Sequence, residues 1–312
     1  RQVAEASLPT LSPETRRYLQ AYSDGVNDYL GSRSATQLGV EYAVLGLQLP
    51  TPSIADWTPV DSLAWLTAMA WDLRGNYAEE LTRARLSGPV DPDQILQLYP
   101  GYDTEAHAPI LGAQHWAPGA EPSTSPVAPA LIETQEETGQ WYAAVAAALD
   151  AVPATYGSGE GVGSNSWVVS GEHTATGRPL LANDPHLGAR LPSIWYQNSL
   201  SCTKTTPECP LKVSGFYFPG LPGVVIGHND RIAWGLTNLG PDVTDFYLER
   251  VDASGRVWRE GAWTNLTTRT EVITVAGADA QTITVRSSTH GPLISDVVEA
   301  AAEAGASAPT FG

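Results

Sequence analysis

The sequence contains little of three residue types, and two of these shortages exclude a class of site or partner. Its 312 residues include two cysteines, one methionine and no lysines other than Lys204 and Lys212. Two cysteines at this spacing cannot build a zinc site of the Cys/His type. No run of eighteen apolar residues appears, so the sequence predicts no membrane-spanning helix.

Positive charge is also scarce, since 17 basic residues stand against 34 acidic ones and the formal net charge is -17. Such a surface repels phosphate backbones, and we therefore expect no nucleic-acid partner. Hydrophobic residues make up 42% of the chain, with ten Trp and twelve Tyr, which is enough for a folded core.

The two cysteines flank a short polar loop around Pro207. Cys202 and Cys209 are close enough in sequence to form a small disulfide in an oxidising compartment, and two free thiols are the alternative. A disulfide together with the acidic composition favours a periplasmic or secreted location. The chain begins at Arg1 without a methionine or a signal-like segment, so we expect its ends to be breaks in a longer protein.

The patterning divides the chain into three parts. Residues 1–150 have helical spacing, residues 151–163 form a glycine-rich spacer, and residues 164–312 are strand-like. Ser12 followed by proline predicts the start of a helix, and Thr58 with an aspartate three residues later resembles a capping box. Helices followed by strands favour an α+β fold with layered packing.

Further elements are predicted from short local patterns. Two more helices are expected over 79–86 and 134–150. Strands are expected over 166–170, 180–183, 213–218, 222–227 and 231–236, and a hairpin over 271–275 and 281–286.

A serine stands where the glycine-rich spacer meets the first predicted strand. Residues 163–171 read Gly-Ser-Asn-Ser-Trp-Val-Val-Ser-Gly, which by itself indicates only a turn followed by a strand. The sequence has no G-x-S-x-G, which excludes the nucleophile elbow of an α/β-hydrolase. The alternating glycines before the serine do not complete a dinucleotide-binding fingerprint.

Four ordered blocks resemble the penicillin acylase family of N-terminal nucleophile hydrolases. The family's β-subunit opens with Ser-Asn-x-Trp-Val, and residues 164–168 read Ser-Asn-Ser-Trp-Val. Residues 174–187, and residues 218–229 followed by 232–238, are similar to later family blocks. Upstream, residues 22–29, 57–59 and 69–73 resemble the α-subunit. The resemblance covers nearly the whole chain. It implies an αββα sandwich in which a helical α-subunit region precedes the β-rich start of the β-subunit.

The resemblance also implies a chemistry for Ser164. Members of this family cleave themselves before the serine, here between Gly163 and Ser164, so that one precursor yields α- and β-subunits. The freed α-amino group has a pKa near ~8 and accepts the hydroxyl proton, which gives amide hydrolysis of a small molecule through an acyl-enzyme. By resemblance, the backbone N–H of Asn238 stabilises the oxyanion, and a second donor comes from beyond residue 312.

His186 and an aliphatic group complete the expected active site. A histidine occupies the position of His186 in the lactone-acylase and cephalosporin-acylase branches, where the penicillin G branch has glutamine. It either hydrogen-bonds near the serine or is an ordinary core histidine. Positions that resemble the wall of the family's acyl pocket, and that could equally be ordinary core, are Met69, Leu73, Leu187, Ile226 and Leu236.

A structural calcium site is the one cofactor that the resemblance implies. Asp242, the Thr244 carbonyl and Asp245 are the expected ligands, because Ca²⁺ prefers carboxylate and carbonyl oxygens. Glu80 from the α-subunit completes the set, with Glu79 as the alternative. A solvated acidic turn at 242–245 would explain the same residues without a metal.

Two rival interpretations remain open from the sequence. The chain could be a non-maturing, inactive fragment or a binding module of the same fold. It could also be an unrelated β-rich, lectin-like domain, which would require the four blocks to be accidental. Self-cleavage before Ser164 separates the acylase from the first rival, and sugar binding would favour the second.

Overall fold

Helices occupy the N-terminal part of the chain, and antiparallel strands follow from Gly163. The computed structural model describes residues 1–47, 54–73, 82–83, 86, 90–100, 163–189, 191–207, 209–238, 247 and 249–293. The chain divides into two compact units. The first contains Arg1–Gly75, Pro153–Thr244 and Thr270–Thr284, and the second contains Asn76–Val152, Asp245–Arg269 and Val285–Gly312.

Six α-helices and ten strands are found within these residues. The helices are α1 (Gln2–Ser7), α2 (Pro13–Gly31), α3 (Ala35–Leu38), α4 (Val40–Leu45), α5 (Pro59–Asp72) and α6 (Pro92–Leu98). The strands are β1 (Gly163–Val169), β2 (Leu180–His186), β3 (Tyr196–Ser201), β4 (Lys212–Tyr217), β5 (Ile226–His228), β6 (Ala233–Trp234), β7 (Arg256–Arg259), β8 (Ala262–Asn265), β9 (Thr267–Ile273) and β10 (Gln281–Ser287). None of the helices in the described ranges has both the length and the apolar character needed to cross a bilayer.

The two helix starts predicted from the sequence are confirmed. The Ser12 hydroxyl accepts a hydrogen bond from the Thr15 N–H at 3.1 Å and caps α2. At the start of α5, the Asp61 carboxylate accepts the Thr58 N–H at 2.8 Å, which completes the capping box. Burial acts to raise the pKa of Asp61, but hydrogen bonds from Thr58 and the nearby Arg1 guanidinium hold this pKa below its ordinary value.

The strands form four separate antiparallel sheets. β1 pairs with β2, β7 with β8 and β9 with β10, while β3 to β6 form a four-stranded sheet in chain order. The strand predictions are confirmed in place but not in length. Within the predicted segments 222–227 and 231–236, only residues 226–227 and 233–234 are strand. β1 begins earlier than predicted, at Gly163, inside the expected glycine-rich spacer.

Some elements were not predicted, and some predictions fall outside the described residues. Strands β3, β7 and β8 are short and largely polar, so their sequences carry weak strand signals. The predicted helix over 134–150 lies outside the described residues, and most of the one over 79–86 does too.

The core of the first unit lies where α5 meets the residues that flank the β3–β4 hairpin. Met69 of α5, Ile194 before β3 and Phe218 after β4 form a buried cluster. Trp195 packs against Phe218 with ring centroids 4.5 Å apart. Burying side chains of this size stabilises the fold by roughly 1.5–3 kcal/mol each. The cluster therefore helps to hold the β3–β4 hairpin against α5.

Two polar contacts join α2 to other parts of the same unit. The Tyr22 hydroxyl accepts a hydrogen bond from the Gly220 N–H at 2.8 Å. The Asn27 amide pairs with the backbone of Trp57 in both directions, accepting its N–H at 2.8 Å and donating to its carbonyl at 2.9 Å. The Asn27 side-chain amide thus takes the place of a backbone hydrogen-bonding partner where α2 meets the extended segment before α5.

The second unit contains a polar cluster at Glu249. His290 lies 2.8 Å from the Glu249 carboxylate and stacks on the Tyr247 ring at 4.0 Å. Burial acts to raise the pKa of Glu249, and hydrogen bonds from Ser288 and His290 hold this pKa below its ordinary value.

Candidate active site

Ser164 lies at the open end of the β1–β2 hairpin. The register pairs Gly163 with His186 and Ser164 with Pro185, so the serine is one residue from the end of the ladder. Its hydroxyl donates a hydrogen bond to the Gly163 carbonyl oxygen at 2.6 Å. The hydroxyl of the predicted nucleophile therefore contacts the peptide group that the resemblance names as the cleavage site.

His186 lies across the ladder from Gly163, beside the serine. Its Nε2 atom is 2.9 Å from the Asp184 carboxylate, and 38% of its side chain is exposed. The Nδ1 atom lies 4.0 Å from the position that a Cβ at residue 163 would occupy. The imidazole is therefore next to the predicted cleavage site, partly open to solvent, and oriented by a carboxylate.

Asn183 is the residue at this site that the sequence analysis missed. Its Nδ2 donates to the Asn165 carbonyl at 2.9 Å and to the Leu236 carbonyl at 3.1 Å. Its Oδ1 accepts the Leu236 N–H at 3.0 Å. A polar side chain directly after Leu-Leu-Ala in β2 is the signal in the sequence that could have pointed to it.

The side chain of Asn238 contacts the end of α5. Its Nδ2 donates to the carbonyl of Leu73, the C-cap residue of α5, at 2.8 Å. The resemblance assigns a role to its backbone N–H, and nothing in the sequence indicated this side-chain contact. The segment that contains Asn238 is thereby attached to the end of α5.

The structure brings together three of the five predicted pocket residues. Leu73 and Leu187 both pack against the cluster that contains Met69. Ile226 is buried in β5 but is not part of this cluster. Leu236 is 57% exposed and is not among the side chains packed against this cluster.

The expected calcium ligands lie outside the described residues, and the cysteines lie within them. Glu79, Glu80 and residues 242–245 are not described. In the described part of the chain, no three His, Cys, Asp or Glu side chains are grouped so that they could hold a metal ion. Cys202 and Cys209 form a disulfide, with Cα atoms 6.1 Å apart, which closes the loop between β3 and β4.

Comparison with known proteins supports the same relationship along nearly the whole chain. The chain is 28% identical over 305 residues to the acyl-homoserine lactone acylase QuiP of Pseudomonas aeruginosa, covering 96% of this chain and 32% of that protein. It is 30% identical over 308 residues to the penicillin acylase 2 proenzyme of a Pseudomonas species, covering 96% of this chain and 35% of that protein. The chain thus spans about a third of the length of these relatives.

Among solved structures, the thermostable penicillin G acylase of Alcaligenes faecalis is 30% identical, with a TM-score of 0.37. That alignment covers 41% of this chain and 23% of the other. The family model for penicillin amidase matches residues 1–310. The resemblance stated from the sequence is confirmed, and the chain belongs to the penicillin amidase family.

Proposed function

We propose that this protein is an acylase that removes the acyl group from a small amide through an acyl-enzyme on Ser164. The substrates named for its relatives, penicillins and acyl-homoserine lactones, both carry an acyl group on an amide nitrogen. A β-lactam or an acyl-homoserine lactone is accordingly the substrate class that we propose here.

The observation that carries the proposal is the 2.6 Å hydrogen bond between the Ser164 hydroxyl and the Gly163 carbonyl oxygen. In the proposed maturation, Ser164 Oγ attacks the Gly163 carbonyl carbon, and the bond from that carbon to the Ser164 nitrogen breaks as the hydroxyl proton passes to that nitrogen. The resulting ester is hydrolysed by water, which leaves a carboxylate on Gly163 and a free α-amino group on Ser164. Glycine at 163 keeps the approach to this carbonyl uncrowded.

In the mature protein, Ser164 supplies both the nucleophile and the base. Its neutral α-amino group takes the hydroxyl proton as Oγ attacks the acyl carbonyl carbon of the substrate. The proton then passes to the leaving amine, and water hydrolyses the acyl-enzyme by the reverse sequence of proton transfers. The Asn238 N–H stabilises the oxyanion, and His186 hydrogen-bonds beside the serine.

The acyl chain is proposed to bind against the aliphatic side chains of Met69, Leu73 and Leu187. These three belong to one cluster, which supports a common apolar surface for the chain. Ile226 and Leu236 remain proposed members of the pocket. An unbranched acyl chain and a phenylacetyl group both satisfy an apolar surface of this kind.

The remaining features of the proposal follow from the family resemblance. The αββα sandwich comprises an α-subunit region (1–150), a spacer (151–163) and the start of the β-subunit (164–312), and the chain is a fragment of a precursor. Ca²⁺ held by Glu80 or Glu79, Asp242, Thr244 and Asp245 would have a structural role, since carboxylate and carbonyl oxygens suit this ion. The proposed location is periplasmic or secreted.

Intact-mass measurement and N-terminal sequencing of the purified protein test the proposal, with Ser164→Ala as the control. We expect two polypeptides, one beginning Ser-Asn-Ser-Trp, and a single uncut chain from Ser164→Ala. The cut protein is then assayed by chromatography for amine release from penicillin G and from acyl-homoserine lactones. An uncut wild-type chain, identical to the control, would contradict the proposal and favour a non-maturing fragment or a binding module.

A further inference from the structure

The side chain of Asn183 connects the two chain segments that the proposed function places around the reacting carbonyl. It donates to the Asn165 carbonyl at 2.9 Å, and it exchanges hydrogen bonds in both directions with the backbone of Leu236. Both amide N–H donors and one acceptor site are therefore used. An amide with this many partners is fixed in orientation and holds the two backbones at a set separation.

These partners are close in sequence to the proposed catalytic groups. Asn165 follows Ser164 directly, and Leu236 precedes Asn238 by two residues. At Gly235, a Cβ atom would lie only 2.8 Å from the Asn183 Cβ atom. Glycine at 235 thus permits the close approach that the hydrogen bonds to Leu236 require.

The segment from Leu236 to Asn238 is held at both of its ends. Asn183 holds Leu236 against the β1–β2 hairpin, and the Asn238 side chain donates to the Leu73 carbonyl at 2.8 Å. The short intervening chain leaves the backbone of Asn238 little freedom to move relative to Ser164. This geometry is what an oxyanion donor needs, because misplacing a group by about 1 Å can lower a rate about 100-fold.

We propose that Asn183 is a positioning residue that sets the distance between the Ser164 strand and the proposed oxyanion donor at Asn238. The inference rests on the proposed function. Asn183 acts through backbone groups and does not itself contact the reacting atoms.

An asparagine is required because both of its donors face carbonyl oxygens. An aspartate has the same shape but would place a carboxylate against the carbonyl oxygens of Asn165 and Leu236. An alanine would remove all three hydrogen bonds. Asn183→Asp should therefore displace the segment at Leu236, and Asn183→Ala should release this segment from the β1–β2 hairpin.

The experiment compares Asn183→Asp with Asn27→Asp, a control that the same unit of the chain provides. Asn27 also pairs by its amide with a backbone in both directions, at Trp57, outside the chain segments that carry Ser164 and Asn238. We expect Asn183→Asp to lower kcat for amide hydrolysis about 10- to 1,000-fold while KM changes less than about 3-fold. We expect kcat of Asn27→Asp to stay within about 2-fold, at a comparable loss of melting temperature. Equal effects of the two variants on kcat would overturn the inference.

Amide hydrogen exchange provides a measurement that does not depend on activity. The Leu236 N–H should be protected in the wild type and should exchange at least about 10-fold faster in Asn183→Ala, with no such change in Asn27→Ala. Unchanged exchange at Leu236 would overturn the inference, whatever the activity. Absence of amide hydrolysis by the wild type, together with loss of protection in Asn183→Ala, would contradict the proposed function while supporting the attachment of this segment. Should Asn183→Ala fail to fold, the same exchange measurement on Asn183→Asp replaces it.

Discussion

The β1–β2 and β3–β4 hairpins are both antiparallel and similar in length, but they differ in what lies at their ends. The β3–β4 hairpin is closed by the disulfide, and its open end is buried where Ile194 and Phe218 meet α5. The β1–β2 hairpin is closed by a turn with Gly177 in a left-handed conformation, and Ser164 lies at its open end. One hairpin therefore has a buried open end, and the other has an open end that carries the proposed nucleophile.

The difference shows how a strand pair can remain ordered without burial. Trp167 and Val168 of β1 are 54% and 67% exposed, so apolar packing contributes little to this hairpin in the described structure. Its order comes from the ladder of backbone hydrogen bonds and from the contacts of Asn183. A hairpin that supports the core can bury its open end, whereas a nucleophile must remain accessible.

Removing a core side chain should have the largest effect on stability. Met69 is 2% exposed and contacts the residues that flank β3–β4, so Met69→Ala should lower the free energy of unfolding by about 2–5 kcal/mol. Val168→Ala on β1 is the control and should change it by about 0.5 kcal/mol or less. Urea denaturation followed by circular dichroism measures both. Equal losses of unfolding free energy in Met69→Ala and Val168→Ala would contradict the difference in burial between the two hairpins.

Opening the disulfide, which lies at the closed end of β3–β4, should lower the free energy of unfolding by an intermediate amount. The bond links residues seven positions apart. A disulfide that closes a loop of this size stabilises the folded state by about 2–3 kcal/mol, because it restricts the unfolded chain. Cys202→Ser combined with Cys209→Ser should lose that amount, and a reducing agent should then have no further effect. The urea midpoint, measured with and without reductant, checks this. A midpoint that reductant does not shift in the wild type would contradict it.

A substitution in the turn of β1–β2 should have the smallest effect. Gly177 has φ 67 with nothing near its Cβ position, so Gly177→Ala introduces backbone strain of about 1 kcal/mol without a clash. Gly223 also has open space around it but no positive φ, which makes Gly223→Ala the matched control. We expect a lower melting temperature for Gly177→Ala alone. The comparison fails if both variants melt at the same temperature.

Features that depend on neighbours in sequence were predicted well. The starts of α2 and α5 follow from Ser12 and Thr58, because a cap needs only the next three residues. The strands at 180 and 213 were also located, although their lengths were not. Strand β3 was missed because its polar residues become a strand only by pairing with β4.

The features of the candidate site also divide into those that the sequence predicted and those that it could not. The four ordered blocks, of which residues 164–168 are one, were enough to state the family resemblance, which the family match confirms. The partners of Asn183 could not be predicted, since Leu236 lies 53 positions away and nothing local brings the two together. The Asn238 side chain likewise contacts a carbonyl 165 positions away.

The sequence by itself determined where α2 and α5 begin, where the first strand follows the glycines, and which family the chain belongs to. The tertiary structure alone decided that Met69, Leu73 and Leu187 share a cluster, while Leu236 is exposed and held by its backbone. The physical reason is the distance along the chain over which the interactions act. Caps and turns arise from interactions within a few residues, whereas a shared surface depends on how segments far apart in sequence pack together.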